Sequence, residues 1–167
     1  YNWSKKNKLQ TVIEINAKVE TNNVLDFVQM CEAKHNRMLV ELGNNIEQDI
    51  ENIRLIAIAG PSSSGKTTFC NRVRIELLSR GINPVMISMD DYYLEKEKIS
   101  EIQNKPIDQL DLEHINCLDV DLFNKDLYDL INGEEVTLPR FNFQTGKREV
   151  GRTIKVDSNS PIMIEGI

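Results

Sequence analysis

The run Gly60-Pro61-Ser62-Ser63-Ser64-Gly65-Lys66-Thr67 separates two stretches of different periodicity, and its reading decides the fold. Before it, Leu55-Ile56-Ala57-Ile58-Ala59 is short, apolar and unbroken, the pattern of a strand covered on both faces in a parallel sheet. After it, Phe69, Val73 and Leu77 recur every four residues, Cys70 and Leu78 widen the stripe, and Gly81 follows where a helix end favours a left-handed residue. The loop between them must turn its N–H groups inward around a phosphate, and Gly60, Ser62, Ser63, Ser64 and Gly65 supply the small side chains and permissive backbone for that. Lys66 would reach the terminal phosphates as a point charge. Thr67 and Thr68 open the helix, whose N-terminus adds partial positive charge, and the Thr67 hydroxyl suits Mg²⁺.

A chain of 167 residues with 40% hydrophobic content holds one full-sized core with a small appendage. Residues 53–167 read as the phosphate-loop domain and residues 1–52 as an N-terminal extension or linker. The net charge of −6 argues against nucleic acid or an anionic membrane as the main partner, so a small molecule is expected, with an oligomer compatible. Cys31, Cys70 and Cys117 are odd in number and lie in apolar patterns, as buried free thiols in a reducing compartment do. No run approaches the ~18 apolar residues of a membrane helix, and the first residues lack the apolar core of a signal peptide. A cytoplasmic protein is expected. The chain lacks an initiating Met and stops just after an apolar run, so it is expected to be part of a longer protein.

Along the chain, Ile13, Ile15, Ala17 and Val19 alternate with polar residues and predict a half-buried strand over 13–19. Thr21-Asn22-Asn23 would then start a long helix carrying Val24, Val28, Cys31, His35, Met38, Leu42 and Ile46 on one stripe, with Gly43-Asn44-Asn45 as a break. His35 reads as a packed histidine, because no second ligand accompanies it. A second buried strand over 84–89 ends in Asp90-Asp91-Tyr92-Tyr93. Carboxylates there face the crevice outside the strand ends, where ligands sit in open parallel sheets. Residues 95–105 read as a surface loop or short helix. A helix from His114 to the Asn132-Gly133 stop would have Asp126 and Asp129 on its wet face. Residues 135–156 read as a hairpin or longer β excursion with a turn signal at Thr145-Gly146, and a third buried strand at 161–164 leads to Glu165 at the crevice edge. Strand, helix, strand, helix, hairpin, strand is α/β logic.

The ordered set GPSSSGKTTF, ISMDDYYL, DLEHINCLD, LPRFNFQTGKRE and IMIEGI resembles the uridine kinase and phosphoribulokinase family of P-loop kinases. The likeness is to bacterial members in which the kinase domain follows a region similar to the N-terminal domains of threonyl-tRNA synthetase. It implies a parallel sheet flanked by helices, with a β-hairpin excursion and an N-terminal strand plus long helix. It also implies phosphoryl transfer from ATP or GTP to a nucleoside 5′-hydroxyl. By motif, Lys66 and the loop amides would hold the phosphates, Thr67 and Glu165 would serve Mg²⁺, and Asp90 would accept the proton of the attacking hydroxyl. Asp111 would hold the ribose, and Tyr93 and Phe141 would line the nucleoside pocket. The family's pocket tyrosine is Phe141 here, its base-reading histidine has no counterpart near Gly146, and its arginine-bearing lid would lie beyond Ile167.

Two other readings fit the same residues. One is a kinase for a different hydroxylated metabolite, such as a ribulose phosphate or pantothenate. If that acceptor carried a phosphate, Arg140, Lys147, Arg148 and Arg152 would be the cations to meet it, although they read equally as hairpin surface charge. The other is a non-catalytic nucleotide-sensing or RNA-associated module.

Overall fold

The computed structural model describes residues 2–20, 24–61 and 63–166. Two compact units divide at Asn44/Asn45.

The N-terminal unit is helical: α1 (Asn2–Lys6), α2 (Val12–Glu20) and the greater part of α3 (Val24–Gln48). The strand expected over 13–19 is instead helix α2, and the reason is local. The Thr11 hydroxyl accepts from the Glu14 N–H at 3.2 Å, while Glu14 Oε2 accepts from the N–H groups of Thr11 (3.1 Å) and Gln10 (2.7 Å). This reciprocal capping box satisfies the orphan donors of a helix start. A strand would need a pairing neighbour, and this unit contains none among its described residues. Helix α3 also runs through the expected break. Gly43 lies on its buried stripe with Leu39 and Ile46, so the glycine serves burial there, at about 1 kcal/mol of helix propensity. The expected helix start at residues 21–23 lies outside the described residues.

The second unit is built on three parallel strands in the order β1 (Leu55–Ala59), β5 (Ile162–Gly166), β2 (Val85–Ser88). β5 is the central strand and is almost wholly buried. β1 departs from the expected two-faced burial: Leu55, at 42%, Ala57 and Ala59 are exposed, so one face of the strand is left open. Helix α4 (Lys66–Ser79) follows β1 and buries Cys70, Val73 and Leu77, with Gly81 at φ 77° beyond its end. Residues 95–105 contain α5 (Lys96–Gln103), which buries Ile99.

The helix expected from His114 begins only at Val120, as α6 (Val120–Ile131), because Asp119 Oδ1 accepts from Leu122 N and fixes the N-cap there. Asp126, expected on the wet face, is 3% exposed. The phenol of buried Tyr92 donates to Asp126 Oδ2 at 3.1 Å, and the Tyr92 ring stands edge-on to Phe123 at 5.1 Å. Burial pushes the Asp126 carboxyl above the usual aspartate value even though the Tyr92 hydrogen bond opposes this.

Strands β3 (Val136–Asn142) and β4 (Lys147–Ile154) form the expected hairpin, with the Asn142 side chain accepting from the N–H groups of Gln144 and Thr145 in its turn. The register slips between Thr137 and Pro139, where proline has no N–H to give the ladder. Opposite the slip the two backbones close in. A Cβ on Gly151 would fall 2.7 Å from the Leu138 carbonyl oxygen and 2.9 Å from that of Pro139. Both contacts are with backbone. Gly151→Ala is therefore expected to destabilise the unit by roughly 1–3 kcal/mol, read from denaturant midpoints at unchanged m-value. An unchanged midpoint would show that the hairpin relaxes freely at this point.

Candidate active site

Register brings the site together. On β5, Glu165 stands level with Ile58 of β1 on one side and Ser88 of β2 on the other. The chain leaves β1 into the loop that begins at Gly60, and leaves β2 into the 3₁₀ turn Met89–Tyr92, so both segments emerge at the strand ends flanking Glu165. That crevice is where an open parallel sheet binds ligands.

The loop has the backbone the sequence called for. Ser63 sits at φ 57° and Gly65 at φ 85°, both left-handed, and Ser64 N donates to the Pro61 carbonyl at 3.3 Å. Gly65 is the N-cap of α4, and its left-handed backbone lets the first helical N–H groups face out of the turn. No side chain caps that end and no acidic residue stands in its first turn, so the donors and the helix dipole are left for an anion. Lys66 Nζ donates to the Pro61 carbonyl at 3.1 Å and so lies folded back along the loop. Thr68 follows in the first turn of α4, with an exposed side chain. Ser62 falls outside the described residues.

The Thr67 hydroxyl meets both carboxylate oxygens of Glu165, at 2.9 and 3.1 Å. A hydroxyl and a carboxylate converging beside an anion cradle form an all-oxygen donor set. Such a set fits Mg²⁺, which keeps several waters and takes one or two protein oxygens together with phosphate. Among the described residues no cluster of three His, Cys, Asp or Glu forms a protein-only cage.

The two neighbouring aspartates part company. Asp90 lines a cavity of about 80 Å³ together with Tyr93, Glu113 and His114. Burial, then the nearby Glu165 charge, pushes its carboxyl above the usual aspartate value, with Lys66 pulling the other way. Asp91 lines a second groove of about 610 Å³ between β2 and the hairpin, which Glu165 also lines, and its Oδ1 accepts from the Phe141 N–H at 3.3 Å. Tyr93 donates its phenol to the Leu112 carbonyl at 2.9 Å. Its ring packs against Phe141 (5.7 Å) and Phe143 (5.8 Å), which themselves stand edge to face at 4.9 Å. Phe143 is 64% exposed, an aromatic face presented to solvent.

Asp111 does not line the Asp90 cavity. Its Oδ1 accepts from Glu113 N at 3.1 Å, and its backbone is held by the Gln103 side chain. Glu113, two residues on, lines that cavity instead. The sequence carried only a weak signal for this: the Asp-x-Glu spacing of an Asx turn, which projects the second carboxylate.

The sequence profile of the phosphoribulokinase / uridine kinase family matches residues 55–167, the whole stretch from β1 through β5. The chain belongs to this family. Uridine-cytidine kinase A of Dictyostelium discoideum is 33% identical over 119 residues, 71% of this chain and 22% of that one. A uridine kinase of Ureaplasma parvum is 29% identical over 113 residues, 68% of this chain and 52% of that one. Among solved structures, one described as a possible uridine kinase from Bacillus stearothermophilus superposes with a TM-score of 0.61 at 25% identity, covering 79% of this chain and 71% of that one. The chain thus spans about half the length of the Ureaplasma relative. The family assignment accounts for the P-loop, the parallel sheet flanked by helices and the hairpin as parts of one fold. No described helix is long and apolar enough to cross a membrane.

Proposed function

We propose that the intact protein transfers the γ-phosphoryl group of ATP or GTP to the 5′-hydroxyl of a nucleoside. The observation that carries this reading is the placement of Asp90 in the turn that leaves β2, close enough to Glu165 and Lys66 for both charges to act on its carboxyl. Phosphoryl transfer asks the protein for positioning and charge neutralisation more than for covalent participation. Lys66 and the α4 N-terminus would cradle the phosphates, while Thr67 and Glu165 would hold Mg²⁺, which supplies charge neutralisation on the phosphate oxygens. Asp90 would accept the proton of the attacking hydroxyl. Glu113 would bind the ribose hydroxyls, with Asp111 setting the turn from which it projects. Tyr93, Phe141 and Phe143 would flank the base. Cys31, Cys70 and Cys117 are all free of disulfides, as expected of thiols in a reducing compartment.

A phosphorylated acceptor is disfavoured by what two of the hairpin cations do. Arg148 is committed to Asp119 and two backbone carbonyls, and Arg152 donates to the Met86 carbonyl.

Base selection should be loose, because Phe141 and Phe143 offer apolar contact only. Such contact discriminates by ~10- to 200-fold, whereas a site built to hydrogen-bond a hydroxyl rejects its absence by ~10⁴-fold. Steady-state kcat/KM for uridine, cytidine, adenosine, guanosine and 2′-deoxyuridine is expected to separate ribo- from deoxyribonucleosides sharply, with the four ribonucleosides close together. A preference above ~10³-fold for one base would mean that a group outside the aromatic cluster reads it. Nucleotide binding with no turnover on any acceptor would instead favour the nucleotide-sensing reading.

A further inference from the structure

Arg148 was one of four cations that read as hairpin surface charge, yet its side chain is only 25% exposed and its donors point inward. Nη1 donates to Asp119 Oδ2 at 2.9 Å. Nη2 donates to the carbonyl oxygens of both Tyr92 and Tyr93, each at 3.2 Å. These are the residues that end the turn carrying Asp90. The Tyr92 carbonyl also accepts from Asp119 N at 2.9 Å, so the ion pair and the turn share one acceptor. A second tie lies nearby: Phe141 N donates to Asp91 Oδ1, again joining hairpin to turn. Two strands of one hairpin thus grip the four-residue segment between β2 and the nucleoside cavity.

The chemistry of this grip is specific to arginine. A planar guanidinium directs several donors at fixed angles, here one edge to a carboxylate and one nitrogen to two carbonyls, whereas an ammonium is a point charge. Burial works against the Asp119 charge, but the Arg148 guanidinium and the Leu122 N–H together hold its carboxyl below the usual aspartate value. Arg148 Nε is buried without an acceptor among the described residues.

The geometry points to Arg148, paired with Asp119, as a positioning residue that fixes the Asp90–Tyr93 turn to the β3–β4 hairpin, so that base carboxylate and aromatic wall face the acceptor as one rigid unit. Arg148 acts through the turn, with its donors spent on protein acceptors. Its kinetic consequence rests on the kinase reading above; its mechanical consequence does not.

The test uses the intact protein and the variants Arg148→Gln, Arg148→Lys and Asp119→Asn. Asparagine keeps the N-cap acceptor of α6 while removing the charge, so Asp119→Asn probes the pair even where Arg148→Gln folds poorly. All three are expected to lower kcat with uridine by about 10- to 100-fold through misplacement of Asp90. Mg·ADP affinity should stay unchanged by calorimetry. In hydrogen exchange, amides of residues 89–94 should open faster while those of α4 do not change. Lysine should fail to rescue. Parent-like kcat in Arg148→Lys, unchanged exchange at 89–94, or loss of Mg·ADP binding in step with kcat would each overturn the assignment. If the parent phosphorylates no nucleoside, the kinase reading falls, and exchange at 89–94 still decides whether Arg148 holds the turn.

Discussion

Lys66→Ala is expected to reduce the affinity of the chain for Mg·ATP by ~10²-fold or more, the scale of about 3 kcal/mol for a lost hydrogen bond between charged partners. Two features separate Lys66 from the rest of the cradle. The loop amides and the dipole of α4 belong to the backbone and survive any side-chain change, whereas the only ammonium in the loop is that of Lys66. In this structure it lies 3.1 Å from the Pro61 carbonyl, a neutral acceptor that a phosphate oxygen would outcompete. Lys66→Arg should recover little, because a planar fork does not fit where a loop wraps a point charge. Isothermal calorimetry with Mg·ATP and Mg·GTP on the parent and both variants checks this. Equal affinity in parent and Lys66→Ala would mean that the loop is a serine-rich turn and that the phosphate site lies elsewhere.

The loop was legible because its constraints are local. A strand pattern, five small residues and a helical stripe in sequence fix strand, turn and helix without reference to the rest of the chain, and β1, the left-handed Gly65 and α4 follow from them. The α2 helix was misread for an equally local reason. Alternation over seven residues outweighed Thr11-x-x-Glu14, although the capping box was present and a pairing strand was not. Asp126 and Arg148 were not legible at all. Each charged residue turns inward only because a distant segment supplies its partner: the Tyr92 phenol for one, Asp119 and the turn carbonyls for the other. Glu113 was missed for a more local reason. Motif spacing singled out Asp111, but the side chain that reaches the cavity depends on which way an Asx turn throws its neighbours. Local periodicity reports faces of elements, and long-range hydrogen bonds choose among the polar residues on them.

Asp90→Asn is expected to lower kcat by ~10²-fold or more with nucleotide affinity unchanged, and Asp91→Asn to leave kcat far closer to the parent. The two residues are adjacent, yet the 3₁₀ turn sends them into different cavities. Asp91 accepts the Phe141 N–H and so holds the hairpin, a bond that an asparagine oxygen can keep. Asp90 N–H is tied back to the Ser88 hydroxyl at 3.3 Å, which fixes the start of the turn, and the charges of Glu165 and Lys66 both act on its carboxyl. Burial and the Glu165 charge raise the Asp90 carboxyl above the ordinary aspartate value, so in the metal-free protein the carboxylate is a stronger base than a free one. Any acid limb of kcat/KM that Asp90 contributes should vanish in Asp90→Asn while persisting in Asp91→Asn. Pre-saturating Mg²⁺ and donor nucleotide in these profiles keeps the limb from reporting donor binding. The opposite ranking of the two variants would move the proton acceptor to the hairpin side of the turn, and with it the acceptor site from the Asp90 cavity to the groove between β2 and β3.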